Sequence, residues 1–222
     1  MHVPVQETSM KRAKQESSKI KEAGKVTNAE NQILTSEESS SCSSLLEFTK
    51  SLMICKTEGK IASIYWSDDV GHFSSGFVCA IKDDFVLLAH VAPLGEYDGF
   101  RVHALEGVCK VKWGGKYERK IQTLYELKHQ AHPDVSITGS LMADLLLFAK
   151  AKSLFISAEL LNSSYDDIRG QVLGVTADVL TVHLFDEYGD DDGSCIVDLK
   201  DITVLVCDSD EEAALKRLVE NH

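Results

Sequence analysis

The stretch GFVCAIKDDFVLLAHVAPLGEYDGFRVHALEGVCKV, residues 76–111, aligns without a gap on GQVLGVTADVLTVHLFDEYGDDDGSCIVDLKDITVL, residues 170–205. The shift is 94 positions, and seven of the 36 aligned pairs are identical, three of them glycines. Apolar positions keep the same phase, as at Leu88 and Val182. Because glycine and Asp-Gly occur where the chain needs a positive φ, matched glycines indicate matched turns. An internal repeat therefore decides the fold.

Each repeat predicts the same series of elements, a helix, five short strands and a short closing helix. The closing helix is indicated by the i, i+3, i+4 spacing of Ile121, Leu124 and Tyr125. Runs of β-branched and aromatic residues between turn residues, such as 85–91, are typical of strands. Five short strands with a helix favour a small, strongly curved sheet. We therefore predict an α+β, mainly β fold of two tandem five-stranded barrels.

The composition divides the chain into three segments. Residues 1–43 are rich in Ser, Lys, Glu and Gln and have no sustained apolar period, so they cannot bury enough surface to offset their chain entropy. We predict a disordered tail over 1–43, a first module over 44–132 and a second module over 133–222. The turn-rich stretch around Pro133 separates the modules.

The stretch Gly76-Phe-Val-Cys-Ala-Ile81-Lys-Asp83-Asp84-Phe-Val-Leu-Leu88, behind a predicted helix, resembles the first motif of Sm-like proteins. The second module repeats the motif over 170–182. The chain also looks like uncharacterised bacterial proteins in which a D-x-F-V-x-L strand precedes G-x-x-D-G and a closing helix, here 116–124. The resemblance covers roughly 44–132 and 137–220 and implies tandem Sm-like (SH3-like) small barrels.

Sm-like RNA binders typically place an asparagine after the acidic turn and an arginine-glycine pair in the second motif. Val86 and Leu180 lie near the first position in this chain, and Glu106-Gly107 and Lys200-Asp201 lie near the second. The resemblance therefore implies the fold rather than RNA binding.

The formal net charge of −12 lies entirely in the second module, because residues 133–222 carry 6 Lys and Arg against 18 Asp and Glu. The densest acidic loop contains Asp186, Asp190, Asp191 and Asp192. A calcium-binding EF-hand loop with Gly193 at its sixth position would need ligands at positions 1 and 12, where the chain has Tyr188 and Leu199. We therefore expect a solvated hairpin loop and no metal site, and the alternative is weak cation binding by Asp190 and Asp192.

The most basic segment interleaves cations with two aromatic residues and allows two interpretations. One is contact with nucleic-acid phosphates combined with base stacking. The other is a strand with lysines facing water, then a turn and a helix start, which we favour because the chain is acidic overall. The residues concerned are Lys110, Lys112, Trp113, Lys116, Tyr117 and Arg119.

No catalytic or cofactor-binding motif is present in the sequence. It contains no G-x-S-x-G, Walker-type loop, G-x-G-x-x-G or zinc-ligand spacing. The pair Cys79 and His90 is explained by burial in strands, and the six scattered cysteines indicate reduced thiols. Without a long apolar run or signal-peptide pattern, we expect a cytoplasmic protein that does not span a membrane.

These observations predict a non-catalytic protein that needs no cofactor and acts as an interaction or assembly module. Small curved sheets expose edge strands that can pair with a neighbour. The acidic second module can dock on the basic segment of a first module, within the chain or between chains, and docking between chains predicts a dimer or small ring. Another protein is the other expected partner. The alternative is RNA binding through the basic segment of the first module.

Overall fold

The computed structural model describes residues 44–66, 73–161 and 168–221 of the 222-residue chain. The predicted disordered tail, residues 1–43, lies outside the described residues. Residues Glu47–His222 form one compact unit.

The described part of the chain is α+β and mainly strand, as the sequence predicts. Its helices are α1 (44–58), α2 (Lys116–Leu127), α3 (Leu141–Lys152) and α4 (Asp210–Glu220). Its strands are β1 (Ile61–Trp66), β2 (Phe73–Lys82), β3 (Phe85–Val91), β4 (Tyr97–Ala104), β5 (Val108–Trp113), β6 (Phe155–Leu160), β7 (Ile168–Val175), β8 (Val179–Phe185), β9 (Asp191–Asp198) and β10 (Ile202–Cys207). We call β1–β5 with α1 and α2 the first half, and β6–β10 with α3 and α4 the second half.

The ten strands form one open antiparallel sheet in the order β5-β1-β2-β3-β4-β10-β6-β7-β8-β9. Its two halves meet where β4 pairs with β10, and β5 and β9 are its outer strands. The expectation of two closed five-stranded barrels is therefore corrected. One end strand of each five-stranded group, β4 in the first and β10 in the second, pairs with the other group, so neither group closes on itself.

The two halves use the same strand order and corresponding registers 94 residues apart. Gly76 lies opposite His90 in the β2–β3 pair, and Gly170 lies opposite Leu184 in the β7–β8 pair. A Cβ atom at either glycine would overlap a backbone carbonyl oxygen of the neighbouring strand. This close approach explains why both positions carry the residue without a side chain.

The main hydrophobic cluster lies where the two halves meet. Phe100 and Val102 from β4 pack in one cluster with Leu205 from β10, and all three are buried. Helix α3 contributes its apolar face to this cluster, and the ring of Phe148 meets that of Phe100 edge-on, with 5.8 Å between the centroids. The junction is therefore part of the core.

The segment between α2 and α3 is held against the first half by His132. Its Nε2 donates to the carbonyl oxygens of His90 at 2.8 Å and Gly99 at 3.0 Å, while Nδ1 accepts from the Tyr125 hydroxyl at 2.8 Å. Burial lowers the pKa of His132 to about 4. The ring is therefore neutral at pH 7, as an accepting Nδ1 requires.

A second buried imidazole belongs to His103 on β4. Its ring packs against that of Trp66, with 4.1 Å between the ring centroids. Its Nε2 lies 3.0 Å from Ser74 Oγ. Burial, together with the positive charge of Arg101, lowers the pKa of His103 to about 3. His103 therefore stays neutral in the folded protein while an unfolded chain would bind a proton near pH 6.5.

This difference predicts that the folded state loses stability as the pH falls below 6.5. Between pH 7 and pH 5, His103 should lower the free energy of unfolding by about 2 kcal/mol, because only the unfolded chain is protonated there. His103→Val introduces the residue type found 94 positions later, Val197. Urea unfolding at both pH values should show that this variant loses about 2 kcal/mol less than the parent protein. An equal loss in both proteins would contradict the assignment.

Candidate interaction edges

The basic segment of the sequence follows the β5 edge of the sheet into α2. Within the described residues, β5 pairs only with β1, so its other side is unpaired. Lys110, Lys112 and Trp113 lie on the strand, and Lys116, Tyr117 and Arg119 lie in the first turns of α2. The structure thus places three of the six residues on the outer strand β5 and the other three at the start of the helix that follows it.

Three of these side chains have contacts within the first half. The Nζ of Lys110 lies 3.6 Å from the centroid of the Tyr65 ring, a cation–π contact. Tyr117 meets the ring of Phe73 edge-on, and the guanidinium of Arg119 donates to the Gly114 carbonyl oxygen.

Lys112 reaches a buried carboxylate that sequence reasoning missed. Glu118 on α2 is only 2% exposed, and its Oε1 lies 3.3 Å from Lys112 Nζ and accepts from Ser63 Oγ at 2.8 Å. Burial opposes ionisation, but the hydrogen bonds from Ser63 and Lys112 outweigh it and lower the pKa of Glu118. Lys112 therefore helps to hold the N-terminal turn of α2 against β1.

The same buried pair occurs 94 residues later. Ser157 Oγ donates to Glu212 Oε1 at 2.5 Å, and both side chains are buried. The serines and the glutamates both obey the repeat, which is the signal that could have found them in the sequence. In the second half, Ser209 and Glu212 form a capping box, in which the Ser209 hydroxyl accepts from the Glu212 backbone N–H and Glu212 Oε2 accepts from the Ser209 backbone N–H at 3.1 Å. The Ser209 hydroxyl also donates to Glu212 Oε2.

The first half lacks this cap because Gly115 stands at the equivalent position. Glu118 Oε2 is buried and has no hydrogen-bond partner among the described residues, and Gly115 provides no side-chain cap for α2. The Gly115 backbone, with φ of −74° and ψ of 176°, suits any residue. A Cβ atom there would meet only the flexible ends of Glu118 and Lys112.

The β9 edge is acidic. The predicted loop residue Asp186 accepts backbone N–H groups from Tyr188 and Asp190, each at 2.9 Å, which stabilises the turn. Asp191 and Asp192 lie on β9 itself rather than in the loop. Asp191 accepts from Gly193 N at 2.7 Å, and the Asp192 side chain is exposed.

Both edges also expose apolar side chains that the inner junction buries. Ile196 on β9 is 72% exposed, whereas Val102, at the equivalent position of β4, is 0% exposed. Trp113 on β5 is 40% exposed, whereas its equivalent on β10, Cys207, is buried. The two edges therefore combine unpaired backbone, opposite charges and unburied apolar surface.

The inner junction shows how such edges are joined by polar contacts. The Tyr97 hydroxyl donates to Asp208 Oδ2 at 2.7 Å, and Asp98 Oδ1 accepts from the backbone N–H of Asp210, the first residue of α4, at 3.0 Å. His90 Nδ1 lies 2.8 Å from Asp98 Oδ2. Burial raises the pKa of Asp98, but His90 and the Asp210 amide outweigh it, so its pKa is lowered and the carboxylate stays charged.

Other candidate chemistries find no arranged site in the described residues. His90 bonds to Asp98 rather than to Cys79, whose Sγ lies against the Phe77 carbonyl and whose pKa is raised by burial. In residues 44–66, 73–161 and 168–221, no group of three or more His, Cys, Asp or Glu side chains is placed to hold a metal ion.

Comparisons of the chain with protein-family models, with curated proteins and with solved structures give no significant match. No helix in the described part of the chain is both long and apolar enough to cross a membrane.

The missing cap of α2 yields a stability prediction. Gly115→Ser should supply a hydroxyl to Glu118 Oε2 and raise the free energy of unfolding by about 1 kcal/mol. Gly115→Ala is the matched control, because it adds the Cβ atom without the hydroxyl. Chemical denaturation of both variants measures the difference. A serine variant no more stable than the alanine variant would contradict the role assigned to the unpaired oxygen.

Proposed function

We propose that this protein is a non-catalytic assembly module, built from two tandem Sm-like modules that share one sheet, and that it self-associates through its β5 and β9 edges. One observation carries the proposal. The two outer strands bear opposite charges, at the ends of a sheet whose halves are already joined by pairing of β4 with β10.

Unpaired strand edges favour this kind of contact. Each presents a row of backbone N–H and C=O groups that a strand of another chain can bond. Pairing β9 of one copy with β5 of the next would continue the antiparallel sheet and cover Ile196 and Trp113.

The charges select the direction of association. Lys110, Lys112 and Lys116 lie on or beside β5, and Asp191 and Asp192 lie on β9. Like charges repel when β5 meets β5 or β9 meets β9, whereas β9 meeting β5 brings opposite charges together. Head-to-tail association is therefore favoured, and salt should weaken it because the Debye length falls to about 3 Å at 1 M.

The contact between copies should be weaker than the inner junction. The large ring of Phe100 is replaced by Ser194 at the equivalent position of β9, and Leu205 by the smaller Val111 on β5. Less apolar surface is available for burial, so electrostatic attraction supplies a larger share of the affinity. Association should accordingly be reversible and dependent on concentration.

Charge exchange between the edges tests the proposal. Lys110→Glu with Lys116→Glu makes the β5 edge acidic, because residues 108–116 then carry two glutamates against Lys112. Asp190→Lys, Asp191→Lys and Asp192→Lys together make the β9 edge basic, because residues 190–198 then carry three lysines against Asp198. Light scattering at ~50 mM salt should show that the parent protein associates and that ~500 mM salt reverses this. Each variant alone should stay monomeric, and mixing the two should restore association, because each then offers an edge of opposite charge to the other.

The control reverses two exposed lysines on α3, Lys150→Glu with Lys152→Glu, and should associate like the parent protein. Thermal unfolding of every variant checks that it is folded. A parent protein that is monomeric at both salt concentrations would overturn the proposed function, as would edge variants that associate alone.

RNA binding by the basic segment stays a prediction, and its discriminating test uses the same β5 variant. Only part of the segment is free to meet phosphates, because Lys112 and Arg119 have partners within the first half. Fluorescence anisotropy with short single-stranded RNA at ~50 mM salt probes the contact where it is strongest. RNA binding would be favoured over assembly by two results together. The parent protein would bind the RNA without self-associating, and the β5 variant would not bind it.

A further inference from the structure

We propose that the contact between two copies of this chain repeats, residue for residue, the inner β4–β10 junction, with the carboxylate of Asp192 on the first amide of α2 in the neighbouring copy. This inference rests on the proposed self-association. It adds the register of the strand pairing between copies and the polar contact made by Asp192. A shift of 94 residues relates the two halves and therefore relates the inner junction to the contact between copies.

The inner junction fixes the register. In it Phe100 lies opposite Cys207, Val102 opposite Leu205, and His103 opposite Val204. Adding 94 to each β4 residue and subtracting 94 from each β10 residue gives the pairs between copies. These are Ser194 with Trp113, Cys195 with Lys112, Ile196 with Val111, and Val197 with Lys110.

This register brings the exposed apolar groups together. Ile196 would face Val111, in the place where Val102 faces Leu205, and both inner residues are 0% exposed. A slip by one residue would send alternate side chains to opposite faces of the sheet and leave Ile196 in water. Burial of apolar surface therefore favours the register that the inner junction already uses.

The polar contact follows from the same shift. Asp98 accepts from the amide of Asp210, the first residue of α4, at 3.0 Å. The equivalent residues are Asp192, whose side chain is exposed, and Lys116, the first residue of α2. Since Gly115 gives α2 no side-chain cap, a carboxylate from a neighbour would supply the missing acceptor and a favourable charge at the helix N-terminus.

Gly193, the glycine next to Asp192, supports the same contact between copies. Gly99, with φ of +67°, lies so close to Cys207 and Asp208 that a Cβ atom would overlap their backbone. At Gly193, with φ of +82°, no atom of the part of the chain that the structure describes lies within 4 Å of the corresponding Cβ position. In the proposed contact it would meet Trp113 and Gly114 of the next copy, where the same absence of a side chain permits close approach.

Disulfide trapping tests the register. All variants carry Cys109→Ser, which removes an exposed thiol from β5. Val111→Cys with Ile196→Cys places two thiols opposite each other in the proposed contact, where paired Cβ atoms lie about 5 Å apart and small backbone shifts allow a disulfide. A mild oxidant such as diamide, which takes up the two electrons and two protons, should give a ladder of bands that begins at doubled mass on a non-reducing gel at ~50 mM salt but not at ~500 mM.

Two variants report a slipped register. Val111→Cys alone pairs with the native Cys195 after a slip in one direction, and Val111→Cys with Val197→Cys reports the other direction. Lys110→Cys with Val197→Cys is a second pair in the proposed register, in case the first variant folds poorly. Either pair in register, trapped in preference to the slipped pairs, supports the inference.

The Asp192 contact is tested separately. Asp192→Asn should weaken self-association about two- to five-fold, the effect expected of one charge at a helix N-terminus. Glu220→Gln, on the exposed end of α4, removes the same charge and should leave association unchanged. Equal effects of the two variants would overturn the role of Asp192.

The outcomes separate this inference from the proposed function. Association by light scattering with trapping only of the slipped pairs, or of none, overturns the register and leaves self-association standing. A parent protein that is monomeric at both salt concentrations overturns both the register and the proposed self-association.

Discussion

The hydrogen-bonded pairing of β4 with β10 is the constraint on which the rest of the structure depends. It turns two groups of five strands into one sheet, and it places Phe100, Val102 and Leu205 in a core that both groups share. Without it, two further apolar edges would face water. With it, the sheet has only β5 and β9 as outer strands among the residues described. Strand β5 carries lysines and strand β9 carries aspartates.

Equivalent positions therefore serve different purposes in the two halves. Strand β10, inside the sheet, has Leu205 where the outer strand β5 has Val111, and it has Val206 where β5 has Lys112. An inner strand gains free energy from apolar burial, whereas charged side chains on an outer strand discourage unspecific pairing with other strands. Under the proposed self-association, the lysines of β5 and the aspartates of β9 would also favour head-to-tail contact.

Local features could be predicted from the sequence because they occur in both repeats. The closing helix around Ile121 and the close approach at Gly76 and Gly170 depend on nearby residues or on one neighbouring strand. The joining of β4 to β10 could not be predicted, since alternation within a strand does not say which strand lies beside it. The buried Glu118 and Ser63 were missed because single polar residues are typical of surfaces, although the repeat conserves their spacing at Glu212 and Ser157.

Hydrogen–deuterium exchange resolved to single amides measures whether β4 and β10 are paired in solution. In dilute protein at high salt, the amides of Phe100–His103 and Val204–Cys207 that bond across the junction should exchange as slowly as those of β3, which has a strand on each side. The outward-facing amides of β5 and β9 should exchange fast. Fast exchange at β4 and β10, matching that of β5 and β9, would contradict the account, because the two halves would then not share a sheet.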